Sequence, residues 1–147
     1  PRSSKEIADM FSISVTSMTK GCKRFMEIIN LNKIRNNKNI NLASSGSQDF
    51  VHRFCSKLNM TKELTEVCLN ICNKAEEYSL VSENTPPSIA AGTIYLVSMI
   101  YGLDLSKKII SQNCKISEVT ICKCYKRLKK YYKYLLPQNI IDKINNI

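Results

Sequence analysis

The residues best placed to do chemistry lie between Glu118 and Lys133. Lys123, Lys126, Lys130 and Lys133 recur at steps of three, four and three, with Arg127 and Lys129 beside them. On a helix that spacing gathers the charges into one basic stripe. Ile121, Tyr125, Leu128 and Tyr132 form the apolar stripe that would be buried. Residues 106–113 read as a short helix and Cys114-Lys115-Ile116 as a tight turn. Ser117 should cap a long helix over residues 118–135, with Glu118 at its positive N-terminal end and Pro137 beyond its stop. A short helix, a tight turn and a longer basic helix make a helix-turn-helix unit. In such units the first residues of the second helix reach base edges and later basic residues meet phosphates. That places Val119, Thr120, Cys122 and Lys123 at a groove, with Val119 at a thymine methyl and Lys123 donating to guanine. Lys126, Arg127, Lys130 and Lys133 complete the candidate DNA-binding set.

No catalytic constellation accompanies this stripe, and the chain reads as a non-enzyme. His52 is the one histidine and sits beside Arg53 on an amphipathic stretch, which suits a surface role. Glu76, Glu77 and Glu83 cluster near a helix end, where a solvated surface is the simple reading. There is no glycine loop to cradle phosphate. Seven cysteines are present, with no C-x-x-C pair, and most fall on apolar stripes. They read as reduced core thiols in a reducing compartment, not as zinc ligands.

The formal net charge is +10 over 147 residues, and it is unevenly placed. Residues 1–40 carry 8 basic and 3 acidic side chains, residues 41–104 carry 4 and 7, and residues 105–147 carry 10 and 2. Basic charge at both ends points to a polyanionic partner. No leader peptide or apolar run of membrane-spanning length is visible, which predicts a soluble protein.

The elements that must position the basic helix can be read from periodicity. Residues 86–101, PPSIAAGTIYLVSMIY, have prolines suited to a first helical turn, and no polar face follows them. This should be a central helix buried on every side, ended by Gly102, with Ala90, Ala91, Gly92 and Ser98 letting neighbours approach closely. A helix over residues 48–59 presents Val51, Phe54, Cys55 and Leu58. Another, capped by Thr61 and running to about residue 78, presents Leu64, Val67, Cys68, Ile71, Cys72 and Ala75. Near the start, residues 3–10 form a short helix with Ile7, Met10 and Phe11 turned inward. Ser14 caps a second helix to about residue 30, with Met18, Cys22, Phe25 and Ile29 inward. Residues 31–47, rich in Asn, Lys and Ser, read as a linker, and residues 139–147 as one or two final turns.

The chain also repeats itself. At a shift of 103 residues, Ile13-Ser14 meets Ile116-Ser117 and Lys23-Arg24 meets Lys126-Arg127. Ser4-Lys5 and Ile7 match Ser106-Lys107 and Ile109 one register earlier, which implies a residue inserted at the turn. The first copy is thus the last two helices of a unit that is complete, with five helices, in the second. Its stripe lacks covering helices, which predicts either further chain before Pro1 or a dimer of this fragment.

Several segments resemble transcription factor IIB. SQDFVHRFCSKL at 47–58, NTPPSIAAGTIYLVS at 84–98 and KISEVTICKCYKRL at 115–128 are similar to its second cyclin-like repeat. SSKEIADMFSIS at 3–14 and GCKRFMEII at 21–29 are similar to the end of its first. The resemblance implies an all-α fold: a cyclin-like five-helix repeat around a central buried helix, preceded by the last two helices of another repeat. The divisions would be residues 1–30, a linker at 31–47, and 48–147. It further implies a nuclear, non-catalytic initiation factor that binds the TATA-binding protein and promoter DNA flanking the TATA box and helps recruit RNA polymerase II. Zinc would belong to an N-terminal ribbon outside this stretch, and no cofactor is implied within it. A valine that the family uses to read DNA upstream of the TATA box matches Val119, but the arginine beside it falls on Cys122, which cannot form a bidentate contact with guanine. A lysine pair at the start of the first repeat's last helix falls on Val15 and Thr16, so contact with the TATA-binding protein falls to Lys20, Lys23 and Arg24. A polymerase III, archaeal or viral counterpart is the nearest alternative, and a kinase-binding cyclin is another; the basic stripe speaks against the cyclin.

Overall fold

A computed structural model describes residues 2–36, 45–138, 140 and 141. Among them are eight helices and no strand: α1 (Ser4–Met10), α2 (Val15–Asn36), α3 (Gln48–Lys57), α4 (Lys62–Glu77), α5 (Pro86–Tyr101), α6 (Lys107–Cys114), α7 (Glu118–Lys130) and α8 (Tyr132–Leu135). They fall into two units, Pro1–Ser44 and Ser45–Ile147. No helix among the described residues is long and apolar enough to cross a membrane.

The second unit is built around α5. Its two prolines occupy the first turn, and Gly102 ends it in the left-handed region at φ 62°. Ile89, Ala90, Ala91, Ile94, Leu96 and Val97 are buried, and α3, α4, α6 and α7 all pack on it. Its exposed residues, Met99 and Tyr101, lie in the last turn, and Pro86, Tyr95 and Ile100 are half-buried. Two buried hydroxyls do more than save space. The Ser98 Oγ donates to the carbonyls of Leu103 and Leu105 at 3.1 and 3.3 Å, tying down the loop into α6. Thr93 Oγ1 accepts from the Cys72 thiol of α4 at 3.4 Å. Four helices packed around a buried fifth make this the cyclin-like repeat that the sequence implies.

Local signals set most of the boundaries. Thr61, Ser106 and Ser117 accept the amides of Leu64, Ile109 and Thr120 at 3.3, 3.3 and 3.2 Å. Each such cap is worth about 1 kcal/mol. Two expected lengths are corrected. Helix α2 continues to Asn36, six residues into the expected linker, because no proline or glycine interrupts residues 31–36; residues 37–44 of that linker lie outside the described residues. The long helix expected over residues 118–135 breaks at Tyr131 (φ −113°, ψ 16°) and resumes as α8. Beyond the break, Leu135 at the end of α8 and Leu136, extended just past it (φ −97°, ψ 149°), are both buried, and α8 packs on α4. A helical turn after Pro137 buries Ile141, whose amide bonds Pro137. Of the expected tail, residues 139 and 142–147 lie outside the described residues.

In the first unit α1 packs against α2. Ser3 and Glu6 form a reciprocal cap, with the Ser3 amide on Glu6 Oε2 at 2.9 Å and the Glu6 amide on Ser3 Oγ at 3.2 Å. Ser14 accepts the Ser17 amide at 3.0 Å. The expected inward faces are largely uncovered: Met10, Phe11, Cys22 and Phe25 are exposed, and Ile7, Met18 and Ile29 half-buried. Two helices can shield only the strip along which they touch. The repeat is more regular than its residues suggest. The caps Ser3 and Ser106, the left-handed residues Ser12 (φ 53°) and Lys115 (φ 59°), and the caps Ser14 and Ser117 are each separated by 103 positions. The turn therefore holds no inserted residue; the Ser4 and Ser106 match is a side-chain coincidence one register out.

The core thiols follow from packing. Cys55, Cys68, Cys72, Cys114 and Cys124 are buried. Burial pushes the Cys72 thiol up to about 11 and the Cys124 thiol up to about 12, from an ordinary 9.0. The unfolded chain therefore releases these protons first, so the stability contributed by these two thiols is fully present below about pH 9 and is lost as pH rises toward 11–12. In denaturant titrations across this range, Cys72→Ala should flatten the fall by on the order of 1 kcal/mol per pH step. A second prediction concerns Gly92 on α5. A Cβ there would lie 2.7 Å from the Cβ and Sγ of Cys124. Gly92→Ala should lower the unfolding free energy by about 1–3 kcal/mol, and Gly92→Ala with Cys124→Gly, which removes both clashing atoms, should cost less than the two single changes summed.

Candidate nucleic-acid interface

Helix α7 has two faces because its neighbours leave it two. Ile121, Cys124 and Leu128, at steps of three and four, are buried against the core. Cys124 takes the place expected for Tyr125, its Cβ and Sγ lying against Gly92, where a side chain as large as tyrosine has no room. Tyr125 is half-buried at the rim, its ring edge-on to Tyr95 at 4.9 Å, with Lys129 Nζ 5.9 Å from its centroid. On the opposite face Val119, Lys123, Lys126 and Lys130 are exposed at steps of four, three and four. The α6–α7 turn that presents this face is fixed by Lys115 in the left-handed region and by the Ser117 cap.

The eight expected DNA-binding residues fall into groups. Val119, 64 % exposed, stands at the start of the outward face, and Lys123, Lys126 and Lys130 follow it. Cys122 is half-buried on one flank. Thr120 is half-buried on the other, its hydroxyl 2.8 Å from that of Ser117 and so occupied by the cap. Lys133 is exposed but lies on α8, past the Tyr131 break, so the basic stripe on α7 ends at Lys130. Arg127 is held sideways: its Nη2 pairs with Glu83 and its Nη1 donates to Asn84 Oδ1 at 3.0 Å. This clamp ties the loop before α5 to α7 across more than forty residues. It also corrects the reading of the acidic cluster as plain solvated surface. Glu83 holds Arg127, and Glu76 Oε1 accepts the Ser47 amide at 2.8 Å, anchoring the entry to α3. Neither partnership leaves a mark on local sequence.

The residues expected to meet the TATA-binding protein lie on α2 in the first unit. Lys20, Lys23 and Arg24 are all exposed. Arg24 Nη1 bonds Glu27 Oε2 at 3.1 Å, and Lys23 borders a shallow groove with Cys22, Met26 and Glu27. No group of three or more metal-ligating side chains forms among the described residues.

The fold and this face define an all-helical repeat domain whose last helix pair is a capped, basic helix-turn-helix. Residues 40–131 match the sequence profile of the transcription factor TFIIB repeat, and the chain belongs to that family. It is 34% identical over 99% of its length to a transcription initiation factor IIB-like protein of Acanthamoeba polyphaga mimivirus. It is 31% identical over 86% of its length to transcription initiation factor IIB of Xenopus laevis, and 32% identical over 67% to transcription initiation factor IIB 1 of Thermoplasma volcanium. The chain spans about a third of these relatives: 32%, 37% and 32% of their lengths.

The clamp yields a prediction. Glu83→Gln removes an exposed ion pair, so stability should change by less than about 1 kcal/mol. It also removes a negative charge beside the basic face and frees Arg127. Duplex DNA should bind a few-fold tighter at low salt in anisotropy titrations, with the gain screened out at high salt.

Proposed function

We propose that this chain is the C-terminal core of a IIB-type initiation factor that bridges the TATA-binding protein and promoter DNA beside the TATA box and helps recruit RNA polymerase II in the nucleus. The observation that carries the reading is the outward face of α7, where Lys123, Lys126 and Lys130 are exposed in line behind the exposed Val119. Such a face meets one groove and its phosphates with no catalytic group involved. Lys123, Lys126 and Lys130 neutralise phosphates. Cys122 offers no fork for guanine, so the upstream contact is one of shape and charge more than base readout. Lys20, Lys23 and Arg24 contribute the contact with the TATA-binding protein.

The match to the mimivirus relative, which takes in 99% of this chain, favours a second reading that keeps the bridging and changes the polymerase to a viral one. Co-precipitation with RNA polymerase II separates the two.

The principal test is a gel shift on a TATA duplex with and without the TATA-binding protein. The protein should supershift the binary complex, and Lys126→Glu with Lys130→Glu should abolish the supershift without altering the circular dichroism. Each lysine removed should also lower the salt slope of duplex binding by about 1. Absence of a supershift from a folded chain that includes a complete first repeat would sink the proposal.

A further inference from the structure

The α7–α8 junction carries features that a duplex-binding helix does not use. Tyr131 breaks the helix and is 39 % exposed, and Tyr134, three residues on, is 72 % exposed. Exposed tyrosines of this size are not explained by the core, which takes Leu135 and Leu136 from the same segment. Lysines interleave with them at 129, 130 and 133, all exposed. Beside Tyr131 lies a surface hollow of about 340 Å³, bordered by Ser79, Ser82, Glu83, Arg127, Lys130 and Tyr131. That volume is within the range of small-ligand clefts, about 300–1,000 Å³. The hollow combines an aromatic wall, two cationic side chains, hydroxyls and a carboxylate. Arg127 is held in place at its edge by Glu83 and Asn84.

Aromatic rings set among fixed cations suit an unpaired nucleotide strand: each base stacks on a ring while lysines track the phosphates. Paired bases hide their faces in the helical stack and cannot use exposed rings this way. Charge complementarity favours the same occupant, since residues 105–147 carry 10 basic and 2 acidic side chains. We propose that the α7–α8 junction is a single-stranded nucleic-acid site, in which Tyr131 stacks a base entering the hollow, Tyr134 stacks a neighbouring one, and Lys130 and Lys133 hold the intervening phosphates. It rests on the reading of α7 as a nucleic-acid face and extends it from duplex to unpaired strand.

The test uses the 147-residue chain, fluorescein-labelled oligothymidylate of about 12 nucleotides, and a mixed-sequence duplex of equal length. Affinities are read by anisotropy at low salt. Tyr134→Ala should weaken oligothymidylate binding by about 5- to 150-fold and leave duplex binding unchanged, while Tyr134→Phe retains both. Tyr131→Ala should act in the same direction, with Tyr131→Phe as its control for the helix break. Oligothymidylate binding insensitive to both tyrosines, or lost in step with duplex binding, overturns the proposal. Duplex binding with no oligothymidylate binding also overturns it and leaves the duplex reading standing. Tyrosine-dependent oligothymidylate binding without duplex binding supports it and removes the duplex reading.

Discussion

The crossing of α5 and α7 at Gly92 is the contact on which the second unit depends. With no side chain at Gly92, Cys124 packs directly onto the α5 backbone, and a methyl group there would sit 2.7 Å from its Cβ and Sγ. This approach fixes the rotation of α7 about its own axis. Once Cys124 faces α5, Ile121 and Leu128 are carried inward, and Lys123, Lys126 and Lys130 must face out. The position of the basic face is thus a consequence of core packing. Fully burying side chains such as Ile94, Ile121 and Leu128 is worth roughly 1.5–3 kcal/mol each, whereas exposed lysines contribute almost nothing to the fold.

Polar contacts then refine what packing sets. Ser98 fastens the loop between α5 and α6 from inside the core. The Ser117 cap and the left-handed Lys115 fix the turn into α7. Arg127 reaches back to Glu83 and Asn84, drawing one cation out of the stripe and pinning the loop before α5 to the basic helix. The outward basic face is therefore narrower than the count of basic residues suggests. It is also bordered by a carboxylate that tempers its field.

The two units stand in contrast. In the second, α3, α4, α6 and α7 enclose α5 and the apolar stripes meet. In the first, the same cap, turn and cap recur 103 positions earlier, yet Phe11, Phe25 and Leu31 remain exposed because α1 and α2 have only each other within that unit. Caps and turn are in place there with little burial beyond Ala8 and Glu6.

The sequence by itself determined the helices, their caps, the buried character of α5 and the direction of the lysine stripe. These are local or periodic properties: Pro86, Gly102, Thr61, Ser106 and Ser117 act on their own neighbours, and a step of three or four fixes a face. It also carried the family, because the motifs at 47–58, 84–98 and 115–128 are contiguous. Only the tertiary structure decided that Cys124 and not Tyr125 lies against Gly92, that the helix breaks at Tyr131 and buries Leu135 and Leu136 beyond the break, and that Glu83 restrains Arg127. Each of these joins residues far apart in the chain, or trades local helix propensity for burial elsewhere. The pairing energy depends on a distance that no local pattern encodes.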